Sequence, residues 1–340
     1  MDTRKVQITG GSTYMITLPK TWAEKIGLEP GTEVQMLPMP HRVMLLKPKI
    51  GDQDGHRVGE FQLGDQDGEP LSRNIISYYI AGYEIVKIRG EQISSSQRSI
   101  IRSTTQSLIG PEIVEESSNL VVIRNLSDLS ELSIKETLYR IHQIARSMFE
   151  EAVRSLITHD EELARDVGDR DDDVDRLYLA ISRRFRVMLY DIIIEDAEEV
   201  SRVEYYDYQT AAKQLERIAD HAKKIAETVT ELESKIPEEL GRSLQQATED
   251  AVALMDQALD SLHQRDIELA NQSLARGPQI ESTLLELNRS LRELNPQSSQ
   301  LIGIVVDSID RVKEYGINIA ETALNSSCPL PGENSVDFHD

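Results

Sequence analysis

Two periodicities divide the chain. Between residues 4 and 47 apolar side chains recur at every second position, Val6 and Ile8 first, then Tyr14, Ile16 and Leu18. Period two puts alternate side chains on one face of a strand, and Gly10-Gly11 between the runs reads as a turn. Pro19 has no backbone N–H and ends the second strand. Thr21 to Gly27 reads as one short helix, with Thr21 as N-cap, Glu24 completing a capping box and Gly27 as its stop. Glu29-Pro30-Gly31 predicts a turn before strands at Val34–Leu37 and Val43–Leu46. Trp22, Met36, Met39 and Met44 read as packing residues of this head. So short a piece buries too little surface to stand alone, and intertwined dimerisation is the remedy.

Residues 51–69 read as a polar, glycine-rich linker. The Gly-Asp-Gln-Asp-Gly at 51–55 and 64–68 lacks the length and closing Glu of a calcium-binding helix–loop–helix, so a solvated turn is expected. From 70 to 127 a small α/β connector follows: helices near 71–80 and 95–109, strands at Glu84–Ile88, Glu112–Glu115 and Leu120–Arg124.

Beyond 130 the period becomes helical. Ile134, Leu138, Ile141, Ala145, Met148 and Ala152 form one apolar stripe, and Leu215, Ile218, Ala222, Ile225 and Val229 another. Breaks near 158–160, 200–207, 233–238, 264–266 and 294–298 predict six helices. These are three helices used twice. Leu215–Glu227 aligns with Ile309–Glu321 at a constant offset of 94, and Asp160–Ala164 with Asp266–Ala270 at 106. The change of offset predicts a shorter second-to-third connection in the second copy. The expected fold class is therefore mixed and multidomain, mainly α: a β module at 1–50, the linker, the connector, three-helix bundles at 128–233 and 234–326, and a tail at 327–340.

Charge sharpens this division. The chain carries −22 in all, yet residues 1–50 hold seven Lys/Arg against four acids, net +3, which leaves −25 for the rest. A basic head on an acidic body points to a polyanion met by the head alone. The acid excess elsewhere, with Arg favoured over Lys, suggests a salt-adapted surface. Cys328 is the one cysteine, so no internal disulfide forms; no segment has the length of a membrane span, and a cytoplasmic protein is expected.

Acid pairs are the candidate chemistry. Glu216/Asp220 and Asp310/Glu314 lie four residues apart, each pair on one helix face, a spacing at which like charges repel unless neutralised. Asp171 and Asp175 supply a second pair on the helix expected to pack alongside. Four carboxylates from two helices suit a hard or borderline cation; a solvated acidic face, with Arg217 and Arg311 as counterions, is the alternative. In the second copy Gly277 and Pro278 stand where Asp171 and Asp172 would be, leaving Glu281 without a partner. His221 reads as a partly exposed helix histidine. There is no Glu-x-x-His pair, phosphate-binding glycine loop or dinucleotide fingerprint, so no enzyme is expected.

Leu215-Glu-Arg-Ile-Ala-Asp-His-Ala222 resembles the third-helix signature of PhoU proteins, and Asp171…Val174-Asp175 the second-helix one. The resemblance covers roughly 130–326. It implies paired bundles that bind divalent or iron-type metal ions through acidic motifs. Residues 4–47, in Arg4-Lys-Val-Gln, Gly11–Pro19, Ile26-Gly-Leu and Pro30-Gly31, resemble AbrB/SpoVT swapped-hairpin modules, which implies a homodimer that binds DNA. Arg4, Lys5, Lys20 and Lys25 are then the candidate phosphate contacts. The whole resembles archaeal PhoU-type regulators. A phosphate-responsive regulator acting on promoters of phosphate-uptake genes is expected. The alternative is an adaptor that leaves DNA alone and restrains a phosphate transporter ATPase or a sensor kinase.

Overall fold

The structure, a computed structural model, describes residues 3–39, 43–49, 57–127, 133–190 and 200–328. The turn expected at 51–55 and nearly all of the tail lie outside these residues. Residues up to His56 belong to one compact unit, and Arg57–Pro329 form another.

In the first unit β1 (Gln7–Thr9) pairs antiparallel with β2 (Thr13–Met15). Gly10 and Gly11 turn between them at φ of 65° and 84°, backbone that disfavours any side chain. Helix α1 (Lys20–Lys25) has Pro19 as N-cap and no side-chain cap. The expected Thr21 cap and capping box therefore do not form: Thr21 lies inside the first turn, and Glu24 pairs with Lys20 at 3.6 Å. Gly27, at φ of 71°, stops the helix. Strand β3 (Val34–Met39) then pairs antiparallel with β4 (Val43–Pro48).

None of the described residues of this unit is buried. Val6, Ile8, Tyr14, Met36 and Met44 are each more than half exposed. The packing expected of Met36 and Met44 is thus not supplied within one chain, and Trp22 is only half-buried.

The second unit opens with a four-stranded sheet. Strands β5 (Val58–Gln62), β6 (Ile85–Arg89), β7 (Pro111–Glu116) and β8 (Leu120–Asn125) lie in the order β5-β6-β8-β7, with β5 parallel to β6 and the other pairs antiparallel. Helices α2 (Gly68–Ile80) and α3 (Ser95–Gln106) complete it. The expected linker at 51–69 is here corrected: from residue 57 onward it is strand, turn and helix start. Leu63 is buried among the connector core, and a Cβ on Gly59 would stand 2.6 Å from the Tyr78 ring. Asp67 of the second Gly-Asp-Gln-Asp-Gly caps α2, accepting the Gly68 amide at 2.9 Å and the Ser96 hydroxyl at 3.2 Å.

The remainder is helical: α4 (Ile134–Thr158), α5 (Glu161–Asp169), α6 (Asp171–Tyr190), α7 (Arg202–Glu231), α8 (Glu238–Gln264), α9 (Ile267–Ser290), a short 3-10 turn at Leu291–Glu293, and α10 (Pro296–Ser327). Among the described residues the six expected helices become seven, because the second helix of the first copy breaks at Arg170. Asp171, Asp172 and Asp173 favour a helix start, where their charge meets the positive end of the dipole.

The repeat extends to the backbone. His159 and Arg265 end α4 and α8 in the left-handed region, at φ of 59° and 53°. Asp160 and Asp266 follow, each capping the next helix through two amides at 2.9–3.1 Å. Helices α7 and α10 run antiparallel, with Gln214 bonded to Asn318 at 3.3 Å and Lys224 near Asp307 at 4.0 Å. His221 and Tyr315, equivalent positions in the repeat, face one another with ring centroids 5.7 Å apart, so a local two-fold passes between them. One hydrophobic core runs through both copies.

Arg183 of α6 fastens the connector to the first copy. Its guanidinium, buried, donates to the carbonyls of Tyr79 (2.5 Å), Tyr83 (2.9 Å) and Gly82 (3.4 Å), at the C-terminal end of α2. It also lies 5.0 Å from the centre of the Tyr79 ring. Helix C-terminal carbonyls carry partial negative charge and suit a cation. Gly82 permits the close approach: at φ of 88°, its Cβ would meet Val187 Cγ2 at 2.8 Å.

Candidate functional site

The first-copy acid pairs meet across α6 and α7. Asp171 is buried, Asp175 half-buried. Burial comes first in raising the Asp175 carboxyl to about 7, followed by the neighbouring charges of Asp171, Glu216, Asp220 and Asp172. Asp220, on the exposed side of this cluster, is also raised, by partial desolvation first and then by Glu216 and Asp171. Two lysines temper the charge: Lys223 reaches Asp171 at 2.9 Å, and Lys213 reaches Glu216 Oε1 at 2.6 Å. The other Glu216 oxygen is buried without a partner.

In the second copy Asp310 and Glu314 do not face another acid pair. Lys313 lies between them and ion-pairs with both, at 2.7 and 3.0 Å. Burial lowers its proton affinity, but the bonds to the two carboxylates outweigh it and hold the ammonium above the ordinary lysine value. Glu281 is exposed.

Among the described residues no three His, Cys, Asp or Glu side chains stand close enough to hold a metal ion. Neither copy is therefore a finished coordination sphere. The first-copy residues nevertheless suit a hard cation in kind, since Glu216 keeps an orphaned oxygen and Asp175 and Asp220 are raised by burial and mutual repulsion. In the second copy Lys313 pairs with both carboxylates, as Lys213 and Lys223 pair with Glu216 and Asp171 in the first. Lys213, Lys223 and Lys313 were missed by the reading of acid spacing; the one legible signal was the alignment of Ala219 with Lys313.

His221 is half-buried, its Nδ1 lacks a partner, and burial first, then Lys224, lowers its basicity. It faces Tyr315 rather than the acids. In the first unit Arg4, Lys5, Lys20 and Lys25 are all exposed. Arg4 and Lys5 precede β1, while Lys20 and Lys25 begin and end α1.

Residues 138–229 match the PhoU domain, and residues 7–54 match MazE, the bacterial antitoxin of antidote–toxin recognition. No curated protein matches the chain. Among solved structures, the phosphate transport system regulatory protein PhoU from Streptococcus pneumoniae is 18% identical, with a TM-score of 0.50 over 58% of this chain and 94% of its own. PhoU from Pseudomonas aeruginosa is 20% identical, with a TM-score of 0.49 over 57% of this chain and 94% of its own. The chain thus combines a PhoU-type helical fold with an N-terminal MazE-like module. Among the described residues, no helix is long and apolar enough to cross a membrane.

Proposed function

We propose that this protein is a phosphate-responsive transcriptional regulator, in which a paired N-terminal module binds DNA and the helical copies sense a signal. The observation that carries this is one chain in which a PhoU-domain match is joined to a MazE-like module whose strands leave Ile8, Tyr14 and Met36 exposed. Apolar strands uncovered in one copy are answered by a second copy. Arg4, Lys5, Lys20 and Lys25 would then face DNA phosphates, and the acidic helices would stay clear of them.

On the first copy, Asp171, Asp175, Glu216 and Asp220 would hold a divalent or iron-type cation, with Lys213 and Lys223 giving way. A bound cation supplies positive charge that relieves their repulsion. Its differential affinity for two arrangements of the bundle would bias the head.

The test is retardation of duplex DNA from promoters of phosphate-uptake genes, at the salt of the cell's own cytoplasm. Binding is expected to weaken with salt, with a slope of about −0.9 per phosphate contacted. Charge reversal at Arg4 and Lys5 should abolish it. The runner-up is an adaptor for a phosphate transporter or sensor kinase. It draws support from the S. pneumoniae protein, a regulator of a phosphate transport system with the same helical fold. It predicts unchanged transcription and altered phosphate uptake in the same variant.

A further inference from the structure

Helices α6 and α9 carry the same Leu-x-x-x-Arg at equivalent positions of the repeat, Leu179/Arg183 and Leu285/Arg289. In the first copy both residues hold the connector. Leu179 packs against its core, and Arg183 donates to the C-terminal carbonyls of α2. In the second copy Leu285 is 53% exposed, and Arg289 is exposed with no partner among the described residues. One exposed leucine or arginine is ordinary on a protein surface. This pair differs because it repeats an arrangement whose occupant is seen elsewhere in the same chain.

A groove of about 530 Å3 lies beside the pair, between the start of α8 and the end of α9. Leu240, Leu287 and Leu294 give it an apolar lining, and Glu239, Glu286 and Glu293 an acidic one. The first-copy equivalents of Glu286 and Glu293 are Ala180 and Val187, both buried. The charge of the first seat matches its occupant: α2 has no basic residue in its last turn, and it meets no acid at these positions. The second seat offers two carboxylates there, neither ion-paired among the described residues. Lys and Arg are favoured in the last turn of a helix, where they offset the negative end of its dipole. A helix ending in such residues suits both halves of this face. Its carbonyls accept from Arg289, and its cations pair with Glu286 and Glu293.

We propose that the α9 face of the second copy is a docking seat for the C-terminal end of a partner protein's helix. That helix is basic in its last turn and carries apolar side chains for Leu285 and the leucine-lined groove. The connector on α6 is the built-in template of the complex. Every residue involved lies outside the N-terminal module, so the proposal does not rest on the DNA reading.

The experiment measures binding of two peptides to the full chain by fluorescence anisotropy, each stapled between turns to hold its helix. One has the sequence of Gly68–Tyr83, and the other adds Ile80→Lys and Ala81→Lys in the last turn. The basic peptide is expected to bind about tenfold more tightly. Arg289→Ala and Leu285→Ser should each weaken it by about tenfold, through lost hydrogen bonds from a charged donor and lost apolar burial. Glu286→Lys with Glu293→Lys should reverse the preference between the peptides. Binding of neither peptide, equal binding of both, or binding indifferent to these substitutions overturns the proposal; indifference would mean that the peptide displaces α2 from α6. A smaller oligomer on Leu285→Glu would assign the face to a second copy and overturn it too. Promoter retardation should be unchanged in all these variants, so its failure bears on the DNA reading alone.

Discussion

The two helical copies share one backbone plan and differ in what their second helix carries. In the first copy, the face of α6 bearing Leu179 and Arg183 is covered by the connector: Leu179 packs on the connector core and Arg183 is sealed beneath α2. In the second copy the equivalent residues, Leu285 and Arg289, are exposed. Helix α6 also carries Asp171 and Asp175 at its start, so the acidic face and the connector share one rigid element. Twelve residues separate Asp171 from Arg183, about 18 Å along a helix. Duplication therefore supplied two bundles, and only in the one joined to the connector are the second-helix acids at these positions, Asp171 and Asp175, buried or half-buried.

The largest expected effect in testing this comparison is at Arg183. Arg183→Ala would leave the Tyr79, Gly82 and Tyr83 carbonyls without their donor, at a cost of about 3 kcal/mol in denaturant unfolding. A smaller loss is expected at Gly316, which stands where the first copy has Ala222. A Cβ there would lie 2.4 Å from Leu254 Cδ2, so Gly316→Ala should destabilise by roughly 1–3 kcal/mol. Tolerance of alanine with unchanged Tm would show that α8 and α10 are not held at that distance.

Asp207 offers a subtler contrast, because its equivalent is buried Leu301. Burial raises the Asp207 carboxyl to about 6; Arg265 opposes the rise and Glu204 adds to it. A carboxyl raised on folding holds its proton more tightly in the folded state, so stability falls as pH rises from about 4 to 6. Asp207→Leu should show little advantage at pH 4 and a higher Tm at pH 7, read by thermal unfolding across that range. The smallest effect is at Arg289: Arg289→Ala should change stability by less than about 0.5 kcal/mol, as for an exposed helix residue. A loss comparable to that at Arg183 would mean the α9 face is covered in the working protein.

Much of this architecture was legible in the residue order. Period-two runs located the strands of the head, the 3.6-residue stripes located the bundle helices, and the two offsets exposed the duplication. Asp160 and Asp266 were paired by alignment and proved to be caps of the same kind. Residues 57–63 escaped because Gly59 and flanking polar residues conceal a short alternation, Gly59, Phe61 and Leu63. The α5–α6 break escaped because its cause, three aspartates seeking a helix start, reads equally well as a solvated run.

What the sequence by itself determined is the local and periodic part: which segments are strand or helix, and that one unit is used twice. These follow from interactions between near neighbours in the chain, so they survive without tertiary context. Only the tertiary structure decided the fate of the charges. Arg183, Arg289 and Lys313 are alike on paper, cations on amphipathic helices, yet one is sealed under the connector, one is in water, and one is buried against two carboxylates. Burial and partner distance set the free energy of a charge, and both depend on which elements pack together.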